Sequence, residues 1–332
     1  MMNSKMVNGE MGKTQKTQSK FSPVWTSFRF PLVLAISLFH YFTISLSFAA
    51  FKDPGYGARP AGMGNAFTAV ADDVNAALFN PAGLAQIPSR QMAFSHAKPF
   101  TGLDDVNLNL NFFSAVLPVG DLGSCGVAWS NLVAPVYREN TVTLSAASSL
   151  NRWLPDMKPY LAVGVNVNAL QNRFDLDDRT AGDSVFANGR SENAVAFDLG
   201  LYMKPDPDRL PGLTLGAMGK SLNQPGLGLV ETEQLKRELA GGAAYSFEKL
   251  TLSADLVRRD DVDTWRAGVE SWFRQQTLGL RAGANSTAAS AGFTVLFRAG
   301  RQAGIFLDYA YSIPFQVEDT AGSHRLALGL VF

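Results

Sequence analysis

Ser95 and His96 place a hydroxyl nucleophile beside a possible general base. They belong to the stretch QMAFSHAKPF, whose alternation predicts a β-strand, and neighbouring strand residues point to opposite faces. The two side chains therefore cannot form a nucleophile–base pair. His324 stands at a predicted strand start beside Arg325, and His40 lies in a leader that we expect to be removed. We predict that the protein is not an enzyme and has no cofactor.

Carboxylates form a second chemically active group, in the predicted loop NRFDLDDRTAGDSVFANGRSEN. They are Asp175, Asp177, Asp178 and Asp183. A calcium loop needs Gly and Glu at fixed positions, and this loop lacks them. We interpret the run as a solvated acidic loop and predict no metal site.

Residues 1–49 are typical of a signal peptide. Five basic residues precede the apolar stretch PLVLAISLFHYFTISLSFAA, in which Ser47 and Ala49 supply small residues for cleavage before Ala50. A retained anchor helix is the alternative, but no other stretch is apolar enough to be a spanning helix. Cleavage would leave a net charge of about −4, which disfavours nucleic acid as a partner.

Beyond Pro88, apolar residues recur at every second position in one stretch after another, as in VNLNLNFF and YLAVGVNVNA. About fourteen such stretches are present, an even number as a single-chain outer-membrane barrel requires. A soluble β-sandwich is the alternative. Aromatic residues near strand ends and the final Phe332 favour an all-β fold, a transmembrane antiparallel β-barrel.

Charged residues set the predicted orientation of the strands. Arg281 lies between Leu280 and Ala282, and an arginine facing lipid near the midplane would cost about 2–4 kcal/mol. Arg281 therefore faces the lumen. The same rule turns further charged residues inward: Asp198, Asp255, Arg266, Glu270 and Asp308. We interpret this set as a structural network that fills the lumen rather than as a substrate site.

The final strand ends the chain on an aromatic residue. Leu328, Leu330 and Phe332 face one way, and we assign them as the signal for the barrel-assembly machinery. An even strand count puts both barrel ends in the periplasm and the longer connections outside.

The stretch GARPAGMGNAFTAVADDVNAALFNPAGLAQIP precedes the strands and resembles the start of proteins in the FadL superfamily of outer-membrane barrels, especially its PorV/PorQ-like branch. The likeness lies in Gly57-Ala58-Arg59, Gly62 to Phe67, Ala71-Asp72-Asp73 and Asn80 to Leu84. It resumes at RAGVESWFRQQTLGLRAGAN and in the last strands. The resemblance implies an N-terminal hatch, residues 50–88, inside the lumen of a barrel formed by 89–332. The residues expected to form and gate the hatch are Gly62, Gly64, Asp72, Asp73, Asn80 and Pro81.

Two functions follow from the resemblance. The first is passive transport of small hydrophobic compounds across the outer membrane of a Gram-negative (diderm) bacterium. The alternative is a PorV-like component of a protein secretion or cell-surface attachment system that binds exported proteins. The expected partners are outer-membrane lipid, the barrel-assembly machinery, and either a hydrophobic small molecule or exported proteins.

Overall fold

The computed structural model describes residues 51, 54–103, 107–176, 182, 186, 189–229, 233–300 and 303–332. The predicted signal peptide and the acidic residues Asp177, Asp178 and Asp183 lie outside the described residues.

Fourteen antiparallel strands form a closed barrel. They are β1 (Gln91–Lys98), β2 (Asn109–Pro118), β3 (Ser124–Val133), β4 (Tyr137–Ser149), β5 (Tyr160–Phe174), β6 (Ser191–Lys204), β7 (Leu213–Lys220), β10 (Glu238–Phe247), β11 (Leu250–Arg259), β12 (Val262–Phe273), β13 (Leu278–Asn285), β14 (Ala288–Ala299), β15 (Ala303–Pro314) and β16 (Ser323–Val331). Two short strands, β8 (Gly226–Leu227) and β9 (Glu233–Gln234), pair only with each other. Pairing of β1 with β16 closes the barrel, which confirms the predicted fold class and strand count.

The two faces of the barrel wall differ in polarity. Apolar side chains point outward, and Leu144, Leu256 and Leu328 are each more than half exposed. Polar and small side chains point inward; Arg281 is 5% exposed, whereas its neighbour Leu280 is 47% exposed. Because a closed barrel leaves no strand edge unpaired, this outer face is suited to hydrocarbon. The barrel is therefore a membrane-spanning one.

Strand direction assigns the connections to two rims. The short connections after β2, β10 and β14 lie on the rim where β1 begins and β16 ends. The longer connections after β5, β7 and β15 lie on the opposite rim, which we call the far rim.

The helices of the described residues are all short: Ala58–Gly62, Ala76–Phe79, and the 3-10 turns Pro81–Gln86, Gly120–Leu122 and Leu150–Arg152. None of them has the length and apolar character that a membrane crossing demands.

The core of the protein lies inside the barrel, in residues 54–88, which we call the luminal segment. Met63, Phe67 and Leu84 in this segment are completely buried. The helix Ala58–Gly62 packs against β13 to β16, while the turn Pro81–Gln86 packs against β3 to β6 on another side of the wall. Contacts with both sides place the segment across the bore. A bore of this width needs such a filling, because side chains of the wall cannot occupy it alone.

Candidate functional site

Arg59 attaches the luminal segment to the wall by ionic contacts. The residue is 8% exposed, and its side-chain Nε and one terminal nitrogen bind the two carboxylate oxygens of Glu270 at 2.9 and 2.7 Å. The other terminal nitrogen lies 2.5 Å from Asp72 and 2.8 Å from Asp73. Burial by itself would lower the pKa of the Arg59 guanidinium, but the carboxylates of Asp72, Glu270 and Asp73 hold that pKa well above its usual value. Arg59 therefore stays positively charged and links its own helix to the Asp72–Asp73 pair of the segment and to Glu270 of the wall.

The same network continues along the wall. Arg281 binds Glu270 at 2.6 Å and lies 3.6 Å from Asp308. The Thr294 hydroxyl accepts a hydrogen bond from Arg281 and donates one to Asp308. Three residues from the predicted luminal set, Glu270, Arg281 and Asp308, thus meet in one cluster with Arg59.

Two further members of the predicted set hold the backbone of the luminal segment. Asp255 accepts hydrogen bonds from the N–H groups of Phe67 (2.9 Å) and Thr68 (3.0 Å). Arg266 donates to the carbonyl of Asn65 at 3.5 Å, a long hydrogen bond. In both contacts a charged side chain of the wall binds backbone groups of the luminal segment.

Asp198 lies apart from this cluster. It accepts hydrogen bonds from Asn168 (2.7 Å), Asn166 (3.1 Å) and the N–H of Ser221 (2.8 Å). Asn166 in turn donates to the carbonyl of Ala77 at 2.8 Å. Asp198 therefore orients a side chain that contacts the luminal segment.

Gly62 and Gly64 lie against the wall at β12 to β14. Gly64 has φ of +64°, and a Cβ there would lie 2.6 Å from backbone atoms of Ala284. A Cβ on Gly62 would lie 3.3 Å from the Cα of Gly292. Gly64 thus needs glycine for both its conformation and its close approach, whereas Gly62 needs it mainly for space.

Asn80 and Pro81 attach the segment on the other side of the bore. Asn80 is completely buried; its amide donates to the carbonyls of Thr68 (2.9 Å) and Leu201 (2.8 Å) and accepts from the N–H of Ala82 (3.2 Å). Pro81 follows as the first residue of the turn Pro81–Gln86, where its missing N–H costs nothing. The hydrogen bonds on this side of the bore therefore join uncharged groups.

Small wall residues admit that turn. A Cβ on Gly164 would overlap backbone atoms of Pro81 and Ala82. Similarly, a Cβ on Gly200 would overlap Asn80, and one on Gly216 would overlap the carbonyl of Thr68. The backbones of segment and wall therefore touch.

Arg325 was not among the residues predicted from the sequence, although the inward rule for charges applies to it. It donates to the carbonyls of Gly55 (2.6 Å) and Pro54 (2.9 Å) from β16, while the Ser95 hydroxyl donates to the carbonyl of Tyr56 (2.9 Å) from β1. The luminal segment thus bridges the seam where β1 meets β16. Arg59 was also not predicted as a site residue. The sequence feature that could have indicated it is an arginine placed shortly before the acidic pair Asp72 and Asp73.

The final strand presents Leu328 and Leu330 outward, 57% and 39% exposed. Phe332 exchanges backbone hydrogen bonds with Arg90, at 2.9 and 3.1 Å, beside the seam. The proposed part of these residues in assembly stays a prediction.

Ser95 and His96 lie on opposite faces, since Ser95 binds the luminal segment and His96 is exposed beside Asn111. Within the described residues, no cluster of three or more His, Cys, Asp or Glu side chains suits a metal ion. Cys125 is exposed on the outer face of β3.

Neither a protein-family model nor a curated protein matches the sequence. Solved structures do match the fold. The CymD monoaromatic hydrocarbon channel has a TM-score of 0.58 and 13% identity, covering 85% of this chain and 98% of that chain. The Ralstonia pickettii toluene transporter TbuX gives 0.54 and 13%, covering 85% and 98%, and a Pseudomonas aeruginosa FadL homologue gives 0.52 and 15%, covering 84% and 97%.

The chain has the FadL-type barrel fold. At these identities the likeness shows the fold alone. It supports the FadL part of the resemblance and gives no support to the PorV/PorQ-like branch.

Proposed function

We propose that this FadL-type barrel passively transports small hydrophobic compounds across the outer membrane of a diderm bacterium, after its signal peptide is removed. The observation that carries the proposal is a membrane-spanning barrel whose bore is filled by a segment that docks on the wall through non-covalent contacts. The matching solved structures include a hydrocarbon channel and a toluene transporter, which agrees with an apolar cargo.

The luminal segment is the hatch in this proposal. A cavity beside it opens near the far rim, and its lining is mixed: apolar side chains such as Leu78, Leu170 and Leu235 stand among charged ones such as Glu238 and Arg259. An apolar compound would collect there and pass when the hatch moves. Gly62, Gly64, Asp72, Asp73, Asn80 and Pro81 would then act in gating, because they form the contacts that such movement must break or preserve.

A secretion role would require a surface that binds exported proteins. No feature of the described residues favours one, so it is not proposed.

Reversible locking of the hatch tests the proposal. Ala82 and Ala162 belong to one buried cluster on the segment and on β5. Cysteines at both positions, with Cys125→Ser to leave no other thiol, should allow a cross-link. Cells producing the variant should take up toluene when reduced and lose uptake when oxidised; the Ala82→Cys single variant is the control. Uptake equal to that of cells without the barrel would contradict transport, whereas uptake unaffected by a confirmed cross-link would contradict the hatch.

A further inference from the structure

The outer face of the wall carries a row of polar side chains close to the far rim. Each member is paired directly across the strands with the next, so the whole row lies on the same face as the exposed His96. Every member lies near the far-rim end of its strand. The row, which we call the amide belt, consists of His96 (β1), Asn111 (β2), Asn131 (β3), Asn140 (β4), Gln171 (β5) and Asn193 (β6).

Hydrogen bonds run along the amide belt. The ring nitrogen Nδ1 of His96 lies 2.9 Å from the side-chain oxygen of Asn111. Asn111 donates to Asn131 at 3.1 Å, and Asn131 donates to Asn140 at 2.9 Å. The members on β5 and β6 are joined at 3.1 Å. Because a side-chain amide has two N–H donors and two lone pairs, these bonds leave it further capacity. The belt therefore presents oriented donors and acceptors to the molecule that covers it.

The position of the belt relative to the membrane follows from the strands below it. On β6 the outward side chains after Asn193 are apolar, and Val195, Phe197 and Leu199 are each more than 40% exposed. With a strand tilt of about 40°, the stretch from Asn193 to Met203 rises about 25 Å, the height of the apolar band of a membrane barrel. The belt thus lies where hydrocarbon gives way to lipid headgroups.

Cations stand beyond the belt, toward the far rim. Arg138 and Arg173 face each other directly across β4 and β5, and both side chains are at least half exposed. They share one carboxylate, that of Asp175, at 2.6 and 3.4 Å. Lys98 is exposed at the end of β1, three strand spacings or about 14 Å from β4. Two guanidinium groups on one carboxylate retain positive charge, and their planar donors match phosphate oxygens.

The opposite half of the wall differs at this height. Leu239 on β10 and Leu256 on β11 face outward near the far rim and are 46% and 70% exposed. Beyond Leu256, Arg258 donates from two nitrogens to the two carboxylate oxygens of Asp263, both at 2.6 Å. That arginine therefore has an acid of its own. General contact with headgroups around the barrel would not require polar side chains on one half, so the belt calls for a specific partner.

We propose that the amide belt, together with Arg138, Arg173 and Lys98, binds the phosphorylated sugar headgroup of a glycolipid in the outer leaflet. The cations bind phosphate, and the amides form hydrogen bonds with sugar hydroxyls. The acyl chains lie against the apolar band below the belt. The inference rests on the proposed outer-membrane location with the longer connections outside, and it is independent of the transported compound.

Native mass spectrometry of the full mature protein in detergent tests the inference. The probe is lipid A, an acylated disaccharide with two phosphates, and phosphatidylglycerol is the comparison, because it is anionic but has no sugar. We expect lipid A to bind more tightly than phosphatidylglycerol by about tenfold or more. The double variant Arg138→Gln with Arg173→Gln should lose about tenfold in affinity for lipid A, because charge-assisted bonds to phosphate are removed. Gln171→Leu keeps both arginines and should weaken lipid A without affecting phosphatidylglycerol.

Arg258→Gln is the matched control, since it makes the same change at an exposed arginine of the outer face near the same rim. It should bind lipid A as the unchanged protein does. Heat-modifiable migration on gels establishes that each variant is a folded barrel, and Gln171→Leu alone decides the matter if the double variant does not fold. Unchanged affinity in either belt variant, an equal loss in Arg258→Gln, or equal binding of the two lipids would overturn the inference. Because no transport is measured, failure of toluene uptake would contradict only the proposed function.

Discussion

The luminal segment is attached in different ways on two sides of the bore. Toward β12 to β15, Arg59 meets a buried carboxylate of the wall, and charged side chains carry the contact. Toward β5 to β7, Asn80 binds backbone carbonyls and the chain touches wall glycines. The attraction between two charges falls off gradually over several ångströms. Steric overlap between two backbones, by contrast, appears or disappears within a few tenths of an ångström. We infer that the first side retains the segment and the second fixes its position.

Removing the whole segment should have the largest effect. A variant that lacks residues 56–87 but keeps the signal and every strand should conduct ions far better in planar bilayers than the intact protein, because the wall cannot fill the bore. Ser95→Ala in the full chain is the control for the lost contact at the β1–β16 seam. Equal, low conductance would show that something else closes the bore, and equal, high conductance would show that the segment does not close it.

Arg59→Ala should be the most damaging single change, and it tests the ionic side. Removing one partner of a buried ionic cluster costs about 3–5 kcal/mol, and here it leaves Asp72 and Asp73 without their cation. We expect frequent opening events in single-channel recordings and protease cleavage within residues 54–88. Arg258→Ala removes an exposed ion pair with Asp263 and should change neither readout. If Arg59→Ala behaves like Arg258→Ala, the ionic side does not retain the segment.

The orientation of the wall could be predicted from the sequence because it depends on a local rule. Placing Arg281 against lipid costs far more free energy than placing Leu280 there. The alternation of the strand is therefore enough to assign Leu280 to the lipid face and Arg281 to the lumen. The partners inside the lumen follow no such rule. Arg59 and Glu270 are 211 positions apart, and nothing in the local pattern around either residue indicates the other.

The predicted set of luminal charges illustrates the same limit. Glu270, Arg281 and Asp308 form one cluster, but Asp198, predicted by the same rule, lies with Asn166 and Asn168 elsewhere. The two α-helices of the luminal segment have only five and four residues, too few for a helical period to appear in the sequence. Contacts with the barrel wall, rather than a local sequence pattern, determine where these helices lie.

Gly164→Val tests the side where backbones touch. The added side chain would overlap Pro81 and Ala82, and overpacking of this kind costs about 3 kcal/mol. The turn Pro81–Gln86 should move away from β5, which predicts a leak smaller than that of Arg59→Ala. Gly241→Val makes the same change on β10, where a Cβ meets nothing within 4 Å, and should be silent. A leak from both variants would point to weakened strands rather than to lost contact with the luminal segment.

Asn80 provides the finest test, because two substitutions separate its two tasks. Its oxygen caps the turn at Ala82, and its nitrogen bridges the carbonyls of Thr68 and Leu201. Asn80→Ala removes both and should destabilise the docked segment by about 2 kcal/mol, the cost of buried groups left without partners. Asn80→Asp keeps an acceptor for Ala82 but turns an oxygen toward two carbonyl oxygens. If bridging holds the segment, Asp should leak at least as much as Ala; if capping does, Asp should resemble the unchanged protein. Asn223→Ala, which removes an exposed side-chain amide that follows β7 and hydrogen-bonds to β6, should not affect conductance. If the Asn80→Ala barrel conducts as little as the intact one, the hydrogen bonds of Asn80 do not hold the segment. Close backbone packing alone would then account for the attachment on this side of the bore.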